Sequence, residues 1–286
     1  MYEFFIEPFI VDLTMSYALV AGLFLCISAS MLGVFLVIRR MSLVADAMSH
    51  ALLPGVAIGM MLAGSTSLVV LAGGVIAGLI VAIGAGVIMR NTHLKEDASF
   101  ATTYILSLSL GMILVGNDGH ELSHILFGSI YNIADIDIWV ILIVSSVTMI
   151  LLALFYRPIV MECLDPLFMR MDGGLGRFTH ILFLVMLAFN LVAGYKVLGT
   201  LLVVSVMLLP AITSTFITRS LEKQILLSSL ISILILYFGL VIAYNFNLQP
   251  SAIIALLGGV CYLLALFFGS QKGILRRTSK IQASPV

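Results

Sequence analysis

The stretch RRMSLVADAMSHALLPGVAIG, Arg39 to Gly59, decides the fold. After its two arginines it is apolar or small almost throughout, yet it carries one carboxylate, Asp46, and one imidazole, His50. At helical spacing these two share a face, and Pro54 follows four residues later. Proline has no N–H to offer the carbonyl four residues back, so the carbonyl of His50 is expected to be freed onto that same face. Counted from Ser42, His50 lies about 12 Å into a hydrocarbon core about 30 Å thick. A charge within such a span costs at least about 3 kcal/mol on the mildest scale. Asp46 therefore needs a partner or a function.

Apolar runs of comparable length flank this one. They cover 17–38, 44–63, 67–89, 98–116, 138–156, 178–195, 197–217, 224–245 and 251–269, each long enough to cross a bilayer at about 1.5 Å per residue. The chain is 62% hydrophobic and 10% charged, with a mean hydropathy of +1.21. Soluble domains average about half apolar and a quarter charged, so a cytosolic enzyme is excluded. The expected fold is all-α, a polytopic transmembrane helical bundle forming a single domain over 1–286. The count is eight or nine spans, because 178–195 and 197–217 meet at Gly194 to Gly199 with almost no loop, and a re-entrant pair would reduce nine to eight. Gly73, Gly74 and Gly78 predict close helix packing.

Charge sets the orientation. The net charge is +0, from 14 basic and 14 acidic side chains, which gives no reason to expect a nucleic-acid partner. With nine crossings and the N-terminus outside, Arg39, Arg40, Arg90, Lys95, Arg157, Arg170, Arg177, Arg219, Lys223, Lys272, Arg276, Arg277 and Lys280 all fall inside, and only Lys196 falls outside. That asymmetry follows the positive-inside rule. The outer segments carry Glu3, Glu7, Asp12, Asp118, His120, Glu121, His124, Asp135 and Asp137, a face that attracts cations. Acid rather than base precedes the first run, so that run is expected to be retained and not cleaved as a signal peptide. Cys26, Cys163 and Cys261 are widely spaced and odd in number, and read as small core residues.

Carboxylate with imidazole is a mixed oxygen and nitrogen donor set suited to zinc, manganese or ferrous iron, and too rich in nitrogen for magnesium or calcium. Two other readings of Asp46 and His50 stand beside it: a pair that locks two helices together, and a proton relay. His180, one turn into its span, either completes the metal shell or caps a packing contact. Pro210 is expected to break its span as Pro54 does, and broken helices line paths through membrane proteins. His120-Glu121-Leu122-Ser123-His124 spells the HExxH motif of zinc proteases, in which glutamate is the base. An intramembrane protease needs that motif inside an apolar span, whereas Asn117, Asp118 and Gly119 put it at the start of a polar loop. No GxxxxGK[ST] loop occurs in the chain, so ATP chemistry must come from another protein.

On the cytoplasmic side, Asp165 as N-cap, Pro166 in the first turn and Gly173 past the end describe one short helix of about seven residues. Leu167, Phe168 and Met171 give it an apolar face and Arg170 a charge. Such a face either docks on a partner or lies on the membrane interface.

Arg39 to Gly59 resembles the signature of the ABC permease family that imports zinc, manganese or iron in bacteria. The resemblance continues, in order, through HLKEDASFA at His93 to Ala101, HILFGSI at His124 to Ile130, LDPLFMRMDG at Leu164 to Gly173 and YKVLGTLLVVSVMLLPAIT at Tyr195 to Thr213. It implies a multi-pass permease of the bacterial inner membrane that is not itself an enzyme. It further implies a homodimeric or paired assembly, served by a cytoplasmic ABC ATPase dimer and an extracytoplasmic metal-binding protein. Asp46 and His50 would line the path, with His124 ahead of it, and Asp165, Pro166, Leu167, Phe168, Arg170 and Met171 would couple to the ATPase. No permanently bound cofactor is implied, because Mn2+ or Zn2+ would be cargo.

The transport and protease readings part at HELSH. A zinc protease loses its base when glutamate becomes glutamine, whereas an ion-capturing loop keeps its shape and an oxygen. The expected outcome is that Glu121→Gln leaves metal uptake largely intact at saturating metal, while His124→Ala weakens it most at limiting metal. A peptide cleavage that vanishes in Glu121→Gln, in a protein showing no metal flux, would reverse the assignment.

Overall fold

The computed structural model describes residues 9, 13–63, 67–91, 96–115, 135–165, 169 and 175–271. They form eleven helices and, among the described residues, no strand: α1 Leu13–Ile38, α2 Ser42–Ala51, α3 Leu53–Ala63, α4 Ser67–Asn91, α5 Glu96–Val115, α6 Asp135–Leu154, α7 Tyr156–Leu164, α8 Leu175–Leu198, α9 Thr200–Ile217, α10 Leu221–Phe246 and α11 Pro250–Phe268. Among the described residues, eight segments are long and apolar enough to cross a membrane, with α2 and α3 counting together as Ser42–Leu62. Ala98–Leu114 within α5 is a shorter apolar helix. Each coincides with one of the nine runs, because hydrocarbon thickness and the need to satisfy every backbone group leave a helix of that length as the available solution.

Side-chain contacts give the relative directions of six of these helices. Along α1, Gly22 faces Leu236 and Ser30 faces Ser229, so α10 runs antiparallel to it. Ser28 pairs with Asn190 and Phe35 with Phe183, so α8 is antiparallel as well. Leu25 and Val203 meet at Gly194 while Gly33 meets Met207, which makes α9 parallel to α1. The pairings of Gly74 with Val192 and Gly55 with Gly73 place α4 antiparallel to both α8 and α3. Directions therefore alternate. Arg39, Arg40, Arg157, Arg219 and Lys223 gather at one end of the bundle, which the positive-inside rule makes the cytoplasmic end.

The junction at Gly194 to Gly199 is a hairpin of two antiparallel helices. Gly199 alone links them, at φ 81°, a left-handed conformation that a side chain would oppose. Gly194 on the way out and Val203 on the way back both face Leu25, near the middle of α1. The hairpin thus turns back short of the outer end of α1.

Three features depart from expectation. Pro210 does not break its span: α9 runs continuously from Thr200 to Ile217 with the proline buried inside. Its backbone is clamped by neighbours, with the Met207 carbonyl lying so close to Gly33 that a Cβ there would sit 1.8 Å from the oxygen. Asp137, expected on an open outer segment, is 5% exposed in a small cleft with Val70, Leu71, Val140, Val192, Ala193 and Tyr195. A short helix, α7, occupies a stretch to which the apolar runs assigned no element. It is tied to the end of α1 by Arg39 and Glu162, whose side chains approach to 3.1 Å and are 7% and 8% exposed. Removing one partner of such a buried pair costs about 3–5 kcal/mol.

Polar side chains join the helices deep in the bundle. Asn190 Nδ2 donates to Thr148 Oγ1 at 2.6 Å and to the Met186 carbonyl at 3.0 Å, and its Oδ1 accepts from Ser28 at 2.7 Å. This group ties α1, α6 and α8, and each such bond in lipid contributes about 0.6 kcal/mol on average.

Two glycines give a direct check on the α1–α9 contact. Gly33→Ala is expected to cost at least the ~3 kcal/mol upper range of overpacking, because backbone rather than a flexible side chain stands in the way. Gly259→Ala, with open space around it, should be neutral. Thermal unfolding of the detergent-purified variants measures both, and equal midpoints would refute the contact.

Candidate metal site

The α2–α3 segment is one membrane span with a discontinuity at Leu52. Pro54 is the second residue of α3, where a missing N–H costs nothing because first-turn donors have no intrahelical acceptor. The carbonyl of His50 is not left free as expected, since it accepts the N–H of Leu52 at the cap of α2. The adjoining Ala51 carbonyl accepts from Ser107 Oγ at 2.9 Å, a bond from α5. A Cβ on Gly111 would lie 3.1 Å from the Pro54 nitrogen, so α5 approaches the broken turn closely. On the other flank, Gly55 and Gly73 bring the backbones of α3 and α4 together, each with its Cβ position within 2.2 Å of the other's carbonyl oxygen. The break is held by neighbours on both sides.

Asp46 and His50 occupy the face of α2 turned away from these contacts. Asp46 Oδ1 lies 3.8 Å from His50 Nε2, and the side chains are 58% and 32% exposed. That separation is too long for a hydrogen bond. A cation bonded at about 2.1 Å to each donor fits within it. The Tyr104 ring of α5 lies 6.4 Å from the imidazole, tilted by 32°. Ser49 turns inward, its hydroxyl donating to the Asp46 carbonyl at 2.7 Å, which leaves the two donor side chains to face outward alone.

The other expected site residues divide. Among the described residues no group of three or more His, Cys, Asp or Glu side chains converges, so His180 does not join Asp46 and His50. The reason is depth. Ala188 of α8 packs at Gly78, beside Leu52 and Met48, and His180 stands eight residues earlier, about 12 Å nearer the cytoplasm. His120, Glu121 and His124 lie outside the described residues, as do Pro166, Leu167, Phe168, Arg170 and Met171. Asp165 ends α7, and most of the short helix it is expected to N-cap lies outside the described residues. Its carbonyl accepts the Met169 N–H at 3.4 Å. Met169 itself is 2% exposed, so that turn directs one apolar side chain inward, against Gly176.

A bundle that is helical throughout its described residues, with a broken membrane span carrying a carboxylate beside an imidazole, is an architecture suited to membrane transport. Residues 12–269 match the ABC 3 transport family, and the chain belongs to it. The manganese import system permease protein ScaB of Streptococcus gordonii is 31% identical over 92% of this chain and 94% of its own length. The manganese transport system membrane protein MntC of Halalkalibacterium halodurans is 29% identical over 96% and 94%, and a probable iron transport system membrane protein of Haemophilus influenzae is 27% identical over 94% and 98%. The solved structure of PsaBC from Streptococcus pneumoniae in complex with Fab superposes with a TM-score of 0.85 at 30% identity, covering 97% of this chain and all of that one. Membership in a transport family sets aside the metalloprotease reading of HELSH.

Proposed function

We propose that this permease carries a divalent transition metal, manganese foremost, across the bacterial inner membrane into the cytoplasm, with Asp46 and His50 as the donors that hold the ion part-way. The observation that carries the reading is a carboxylate and an imidazole, 3.8 Å apart and turned outward from a membrane-depth helix. Lipid is a poor environment for an exposed carboxylate, so this face needs a second, protein-lined wall. Two donors also leave a transition metal under-coordinated, since such ions take four or more ligands. A second copy related by a two-fold axis supplies both missing elements: a wall, and another Asp46 and His50.

Manganese is favoured over iron and zinc by the names of the relatives, ScaB and MntC, and the mixed oxygen and nitrogen donor set is compatible with it. The partners are those an importer of this class requires: a cytoplasmic ABC ATPase dimer at the 165–173 segment, an extracytoplasmic metal-binding protein delivering the ion, and the surrounding lipid. His124 is suited to receive the ion on the outer side. The broken turn beside Pro54 gives α2 a joint about which its donors can be exposed to one side or the other.

The test is uptake of radioactive manganese in cells whose own importers are deleted. Asp46→Asn and His50→Ala are each expected to reduce uptake at least tenfold while the variants insert and purify as the parent does, because the first removes the anionic charge that holds the cation and the second removes the nitrogen donor, and neither adds bulk. Parental uptake in both variants would reduce the pair to a helix lock.

A further inference from the structure

The buried pair Arg39–Glu162 stands apart from the metal path, and its place in the chain gives it a role. Arg39 Nη2 lies 3.1 Å from Glu162 Oε1, and the guanidinium carbon lies 5.6 Å from the centroid of the Phe183 ring. The desolvation cost of such a pair offsets most of its Coulombic gain, so stability alone is a weak reason for it. Arg39 is three residues ahead of Ser42, where the donor-bearing helix α2 begins. The link between them is tight: Arg40 sits in the left-handed region at φ 60°, and Met41 N donates back to the Leu36 carbonyl at 2.9 Å. Glu162 is three residues ahead of Asp165, where the segment assigned to the ATPase begins. A Cβ on Gly176 would lie 2.9 Å from Glu162 Oε2 and 3.0 Å from Met169 Cβ, so the carboxylate, the start of α8 and the Met169 turn pack as one block.

We propose that Arg39 and Glu162 are positioning residues that pass movement of α7, which leads into Asp165, to the start of α2, and hence to Asp46 and His50. The proposal rests on the transport function above. A guanidinium–carboxylate contact has fixed geometry, and Glu162 cannot move away without taking its carboxylate from the buried Arg39 guanidinium. A shift of α7 thus carries the end of α1 and the short link to α2 along with it. An apolar contact of the same size would allow the two elements to slide.

The experiment uses the complete transporter, permease with its ATPase and binding protein, reconstituted in vesicles, and reads manganese transported per ATP hydrolysed together with manganese bound per complex. Glu162→Gln leaves a buried guanidinium unpaired and is at risk of misfolding. The double variant Arg39→Met with Glu162→Leu keeps the bulk without the charges and carries the test if the single variant fails to assemble. Both are expected to bind manganese as the parent does while transporting at least fivefold less per ATP. A double variant with the parental ratio, or one whose loss of transport is matched by an equal loss of manganese binding, would overturn the proposal and leave a packing strut. Asp46→Asn, run in parallel, separates the two readings: normal transport by that variant removes the metal path itself, whereas its inactivity beside a parental ratio in the double variant removes only the coupling role.

Discussion

Asp46 exposes more than half of its side chain about 6 Å beyond the start of a membrane-crossing helix, and the rest of the architecture answers that constraint. An ionised carboxylate there is tolerable only beside water, a cation or a protein partner. The residues around it serve that end. Ser49 is turned inward, Ala45, Ala47 and Met48 bury the opposite face, and His50 stands alongside. One face of α2 is therefore packed within this chain, and the other presents Asp46 and His50 outward.

A broken helix needs support that an intact one does not. Here it comes from small residues and one hydroxyl. Gly111 lets α5 reach Pro54, Ser107 satisfies the Ala51 carbonyl, and Gly55 with Gly73 seats α3 on α4 at backbone contact. Away from the break, the Asn190 group and the clamped α9 hold α1, α6, α8 and α9 together. The half-helix that carries Asp46 and His50 thus rests on a packed frame and ends at the supported break.

The membrane spans were legible in the sequence to within about four residues, because in hydrocarbon the length of an apolar run and the position of basic residues leave few alternatives. Asp46, His50 and Pro54 were legible as a unit since they share helical spacing and break the local apolar rule. What escaped was set by distant contacts. Arg39 meets Glu162 across 123 positions, and no local pattern announces such a pairing or the short helix α7 that carries it. Asp137 read as an outer acid but is buried by Tyr195 and Val192 from another helix. Pro210 read as a break, yet tertiary packing holds α9 straight through it. His180 shares a chemistry with His50 but not its depth, a distinction visible only once α8 is aligned with α2.

Direct coordination of the transported ion is the claim on which the mechanism turns. Electron spin echo spectroscopy of Mn2+ bound to the assembled transporter, in parent and His50→Ala forms, measures it without reference to uptake. The account predicts nitrogen modulation from a coordinated imidazole in the parent and its loss in the variant. A spectrum showing oxygen ligands alone, unchanged by His50→Ala, would contradict it.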